Sequence, residues 1–141
     1  MAAWNKFNIG VQNLGRGVYN LNSDTLKVCL TDTLPVAANS VLADITQIAA
    51  GNGYVSGGNA VSTTAYSQVG GVGTLTGSNV TFTASGGAIA QFRYAVLYDS
   101  TASGGPLIAW FDSGAEQNLA SGSSMVLQWN NNSSSAMMSI T

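Results

Sequence analysis

Residues 92–99, FRYAVLYD, alternate so that Phe92, Tyr94, Val96 and Tyr98 fall on one face of a strand and Arg93, Ala95, Leu97 and Asp99 on the other. Both faces are largely apolar. A strand tolerates that only when each face is covered, so the segment predicts a central strand packed on two sides. The same period of two appears in TLKVCLT, where Leu26, Val28 and Leu30 alternate with Lys27, Cys29 and Thr31. Shorter segments of this kind, NAVSTTAYSQV, GTLTGSNVTFTA, LIAWFD, SMVLQW and AMMSIT, are separated by Gly, Ser and Asn turns. About seven or eight short strands joined in this way predict an all-β fold, a β-sandwich or jelly-roll-like antiparallel domain.

One stretch breaks the pattern. In WNKFNIGVQNLGRGVYNLN, Phe7, Val11, Leu14, Val18 and Leu21 recur at steps of four and three, which is helical spacing. Gly10, Gly15 and Gly17 oppose a long helix, each costing about 1 kcal/mol relative to Ala. The spacing therefore predicts a short N-terminal helix near residues 3–14 with a glycine-rich exit. The chain of 141 residues suits a single fold, with residues 1–21 as a helical segment and 22–141 as the β-sandwich domain. Between them and the later strands, PVAANSVLADITQIAAGNGY reads as an irregular excursion in which Asp44, Ile45, Gln47 and Ile48 anchor at most a short helical turn.

The surface of such a domain is unusual. Charged residues are 7% of the chain against roughly 25% in a typical soluble domain. The difference is made up by 17 Ser, 12 Thr, 13 Asn and 17 Gly, and the net charge is only −2. A neutral, hydrogen-bonding surface packs against a partner without the desolvation cost of buried Lys or Glu, which suits a subunit surrounded by other subunits. Four scattered cations give no basic stretch for nucleic acid. No apolar run approaches the ~20 residues of a membrane-spanning helix, and MAAWNKFNIG lacks the basic and apolar blocks of a secretory signal. The expectation is a protein made and used without secretory export, with no nucleic-acid or membrane partner.

Chemistry is sparse. The chain has no His, which removes the commonest general base and metal ligand. Cys29 has no second thiol to pair with and reads as a small residue within a strand. Asp99 and Asp112, on consecutive strands, are the one pair of carboxylates to weigh for glycoside hydrolysis, but both sit at strand ends where Asp caps turn amides. No calcium-loop cluster or phosphate-binding loop occurs. Neither an enzyme nor a cofactor is expected. What remains is recognition by surface. Phe111 and Trp129 are assigned to the core, Trp110 with Tyr98 is a candidate platform for a sugar ring, and Trp4 docks either at home or on a neighbour.

Four segments carry a resemblance. DTLKVCLTDTLP at 24–35, ADITQIAAGNGYVSGG at 43–58, FTASGGAIAQFRYAVLY at 82–98 and PLIAWFDSG at 106–114 together make the chain similar, over nearly its whole length, to small tailed-bacteriophage virion proteins of the head decoration, or capsid cement, type. The resemblance implies a protein on the capsid exterior that bridges major capsid subunits, as a trimer or dimer about a local symmetry axis. The interface expected from the sequence is the stripe Trp4, Phe7, Val11 and Leu14, with Trp110 beside it. The alternatives are a phage tail, baseplate or fibre component, and a carbohydrate-binding module.

Overall fold

A computed structural model describes residues 4–129 and 136–140. The chain is built mainly of antiparallel strands with one short helix, the all-β fold and N-terminal helix expected from the sequence. Among the described residues, ten strands, β1 (Trp4–Lys6), β2 (Leu26–Thr31), β3 (Asn59–Ala60), β4 (Ala65–Val69), β5 (Val72–Thr76), β6 (Val80–Thr83), β7 (Ile89–Asp99), β8 (Leu107–Leu119), β9 (Ser124–Leu127) and β10 (Ala136–Ile140), accompany helix α1 (Asn8–Arg16) and a 3-10 turn at Leu42–Asp44. A five-stranded sheet runs in the order β1-β8-β7-β2-β3, and two smaller sheets, β10-β5-β4 and β6-β9, complete the sandwich-like arrangement.

The central strand is the one its sequence indicates. β7 lies third of five, between β8 and β2, and Ala95, Val96, Leu97 and Tyr98 are all buried. The main core forms on one of its faces from Leu26, Val28, Leu30, Ala95, Leu97 and Phe111, against Leu75, Phe82, Trp129 and Met137 from the rest of the chain. A second, smaller core lies on the other face around Phe7, Cys29, Ile45, Tyr94, Val96, Tyr98, Leu107 and Trp110. The excursion after β2 supplies Ile45 to this second core, with Leu42 packed beside it, and its one helical turn is the 3-10 turn.

Simple alternation fails at one point of β7. Phe92 belongs to the main core with Ala95 and Leu97, not to the Tyr94, Val96 and Tyr98 face. The cause is a large bulge: between the pairs Phe92↔Gln117 and Tyr94↔Asp112, one residue of β7 faces four of β8. Such a bulge re-aims the side chains on either side of it. Arg93 and Asp112 clamp it through two hydrogen bonds, 2.8 and 3.1 Å.

The N-terminal segment also departs from expectation. Residues 4–6 are a strand on the edge of β8, with Trp4 opposite Phe111 and Lys6 opposite Ala109, so the helix starts only at Asn8. Intrinsic helix preference is a weak prior, and an open strand edge offers the backbone better partners. The helix exits as expected through Gly17, which takes a left-handed conformation at φ 71° and donates to the Asn13 and Leu14 carbonyls. Across from Tyr98 and Leu97, β8 carries an extra residue, Ile108. Its carbonyl accepts the Phe7 N–H at 3.2 Å, and α1 then runs against that bulge. A Cβ on Gly10 would sit 2.7 Å from the Ile108 oxygen, so only glycine permits this approach.

Candidate functional site

The expected interface stripe does not stay together. Phe7 is wholly buried, and Trp110 is 9% exposed; the two rings pack against each other in the second core at 4.5 Å between centroids. They are therefore scaffold and not contact surface, a correction to their assignment as interface residues. Leu14 is partly buried and packs against the main core. Trp4 contributes its backbone to β1, while its side chain lies outside the described residues. Of the stripe, Val11 faces outward, 56% exposed.

The reason is geometric. The apolar spacing identified a face through residues 7, 11, 14, 18 and 21, but the face that α1 buries runs through Gly10 and Asn13. Gly10 admits the β8 backbone, and the Asn13 amide donates to Tyr19 Oη at 3.4 Å while Tyr19 Oη donates to the Leu107 carbonyl at 2.7 Å. Tyr19 and Leu21 then enter the main core. The N-terminal segment thus feeds both cores, Phe7 and Ile9 the second and Leu14, Tyr19 and Leu21 the main one.

Around the start of α1 the exposed apolar surface comes from elsewhere. Asn8 N–H donates to the Ala37 carbonyl at 2.9 Å, which brings the loop after β2 to this end of the helix. That loop exposes Leu34 (59%) and Val36 (53%). Val11, Leu34 and Val36 are thus exposed aliphatic side chains on the helix and on the loop bonded to its start; periodicity signalled neither Leu34 nor Val36, because both lie in that loop. A second exposed pair, Val69 and Val72, flanks the Gly70-Gly71 turn of the β4–β5 hairpin, where both glycines have positive φ as a type I′ turn demands.

The residues weighed for chemistry do not converge. Asp112 stands opposite Tyr94, whereas Asp99 lies five residues further along β7, ~17 Å away at strand rise. Asp99 is fully buried and accepts from the Thr101 and Ala102 amides; Asp112 accepts from Arg93 and the Gly114 amide. Asp99 caps the turn at the end of β7, as its position suggested; Asp112 instead lies inside β8, where it accepts the Gly114 amide at the bulge. Arg93 beside it holds the Asp112 carboxyl below its ordinary range. Tyr98 and Trp110 are both buried, which removes them as a sugar-stacking platform. Cys29 is buried in the second core, and its enclosure pushes the thiol up to about 12. Among the described residues no group of three or more His, Cys, Asp or Glu is placed to hold a metal, and no helix is long and apolar enough to cross a membrane. Phe111 and Trp129 pack together at 5.6 Å, in the core as expected.

The distinctive segments turn out to hold one another. Tyr54 Oη accepts the Leu30 N–H at 3.1 Å and donates to Gln47 Oε1 at 2.8 Å, and Gln47 Oε1 also accepts the Gly57 N–H. Thr31 Oγ1 donates to the Thr46 carbonyl. The Asn52 carbonyl accepts the Ser85 N–H at 3.0 Å, and its side-chain amide donates to the Ala88 carbonyl at 2.9 Å. The 43–58 block therefore sutures the 24–35 block to the 82–98 block. The sequence assigned Gln47 only to a short helical turn and singled out neither Asn52 nor Tyr54; the signal available was a run of polar and aromatic side chains inside a long excursion that otherwise lacks regular structure. No protein-family model, curated protein or solved structure matches the chain.

Proposed function

We propose that this chain is a structural virion protein of the decoration type, which docks on the exterior of a tailed-phage capsid and bridges major capsid subunits. The observation that carries the reading is the exposure of the aliphatic side chains Val11, Leu34 and Val36, on the helix and on the loop bonded to its start, in a chain with only ten charged residues. No charged residue occurs between Asp44 and Arg93, so long stretches of surface offer hydrogen bonds without ionic desolvation. The four resembling sequence blocks supply the phage setting. In this reading Phe7 and Trp110 hold α1 rigid, and Val11 with Leu34 and Val36 makes the contact. A cluster of two or three copies about a local axis suits such a bridge.

The test is stoichiometry and location in purified particles that carry the chain. Quantitative mass spectrometry should find it in hundreds of copies per particle, and cryo-electron microscopy should place it outside the shell. A Val11→Asp/Leu34→Asp double variant should lose occupancy on particles while keeping the wild-type thermal midpoint. A handful of copies at one vertex would instead assign the chain to the tail, baseplate or fibre, and full occupancy of the double variant would remove this patch from the interface.

A further inference from the structure

At the end of the main sheet where β2 begins and β7 stops, two carboxyl residues, Asp24 and Asp99, are brought together. Asp99, the last residue of β7, stands opposite Leu26 and is 0% exposed. Its Oδ1 accepts from the Thr101 and Ala102 amides at 2.8 and 3.2 Å, starting the turn toward β8. Its Oδ2 is sealed from solvent and receives no N–H or O–H donor from the described residues. The neighbouring carboxyl is that of Asp24, in the turn before β2, which the Thr25 bonds to Ser100 and Thr101 and the pairing of Leu26 with Asp99 bring to this end of the sheet; its Oδ2 accepts the Asn20 N–H at 2.7 Å.

Two carboxylates bring only lone pairs to such a contact. Something positive must stand between them, and none of the four cationic side chains acts on Asp99. Lys27, the nearest in sequence, pairs with Tyr98 in the register and alternates away from the buried Leu26 face. The other titratable group facing the pair is Tyr19, which feels the Asp99 charge and already donates its proton to Leu107. We propose that Asp24 and Asp99 share a single proton, and that this proton latches the Asn20–Thr25 turn onto the end of the β2–β7 pair. On release the proton passes to solvent and leaves two like charges in an enclosed contact, which Asp24, the less buried partner, relieves by moving outward. The turn then hangs on Thr25, through its carbonyl to Ser100 and its N–H to Thr101 Oγ1. The latch is independent of the virion reading.

Burial raises the Asp99 carboxyl above its ordinary 3.8, and the Asp24 contact adds to the rise. The folded chain therefore keeps a proton that the unfolded chain gives up. Stability from this pair is full below the ordinary carboxylate value and falls as pH rises through the folded one.

The experiment follows the thermal midpoint of the wild type, Asp99→Asn and Asp24→Asn from about pH 4 to about pH 8, with a carbon-13 carboxyl NMR titration of the full chain. In Asp99→Asn the side-chain oxygen still caps Thr101 and Ala102, and the amide donates to Asp24. Relative to that variant the wild type should lose stability as pH rises, and Asp99 should titrate above 3.8. Asp24→Asn should move the Asp99 titration downward, which keeps the test decisive if Asp99→Asn does not fold. An Asp99 resonance titrating at or below 3.8 would overturn the latch. So would a rise in the wild-type midpoint with calcium chloride that EDTA reverses, since a cation would then occupy the contact.

Discussion

The rings of Phe7 and Trp110 pack tilted, at 4.5 Å between centroids and 46°, joining the residue that opens the helix to the first part of β8. The contact closes the second core, and it turns two residues that look like surface anchors in the sequence into internal ones. Their burial makes the N-terminal segment part of the fold.

Phe7→Ala should therefore destabilise the protein by about 3–5 kcal/mol, the usual cost of emptying a buried aromatic site. Urea denaturation would measure it. Deletion of residues 1–20, which removes β1, α1 and Tyr19 as well, should leave no cooperative unfolding transition.

Two glycines of one helix should respond with opposite sign. A methyl group on Gly10 meets the Ile108 oxygen at 2.7 Å, so Gly10→Ala should lower stability and shift α1 away from β8. At Gly15 an added Cβ has nothing within 4 Å, and Gly15→Ala should raise stability by about 0.5–1 kcal/mol through helix preference alone. Thermal midpoints of the two variants make the comparison.

Tyr54→Phe should cost about 1–3 kcal/mol, because it leaves the Leu30 N–H buried without an acceptor. Hydrogen exchange at Leu30 should accelerate more than at other β2 amides.

Cys29 should resist iodoacetamide in the folded protein at neutral pH. Its thiol is fully buried and pushed up to about 12, so almost no thiolate is present or reachable. Mass spectrometry should show alkylation only after denaturation.

Acid should act on the surface carboxylates in the direction opposite to the Asp24–Asp99 pair. Arg93 lowers the Asp112 carboxyl, and the Ser40 and Val41 amides lower that of Asp44. Their stabilisation is present above the ordinary 3.8 and is lost as pH falls through the folded values. Both groups are solvent-accessible, so Asp112→Asn should flatten the acid limb of a stability-pH curve only slightly.

The sequence by itself determined what local periodicity can carry. FRYAVLYD, apolar on both faces, reads as a central strand, and TLKVCLT with its alternating Leu26, Val28 and Leu30 reads as its companion. The same strand pattern and the turn glycines declare an all-β domain, because each depends on neighbours only one or two residues away. Asp99 was legible as a turn cap for the same reason. Tertiary structure decided the rest. The bulge of β8 moved Phe92 to the other face, and the open edge of β8 drew residues 4–6 out of the helix. With Gly10 against Ile108, α1 leaves Val11 exposed, and Leu34 and Val36 are exposed on the loop bonded to the start of the helix. Periodicity records which residues are apolar, but which of them meet water depends on backbone contacts between segments that the period of a single segment does not contain.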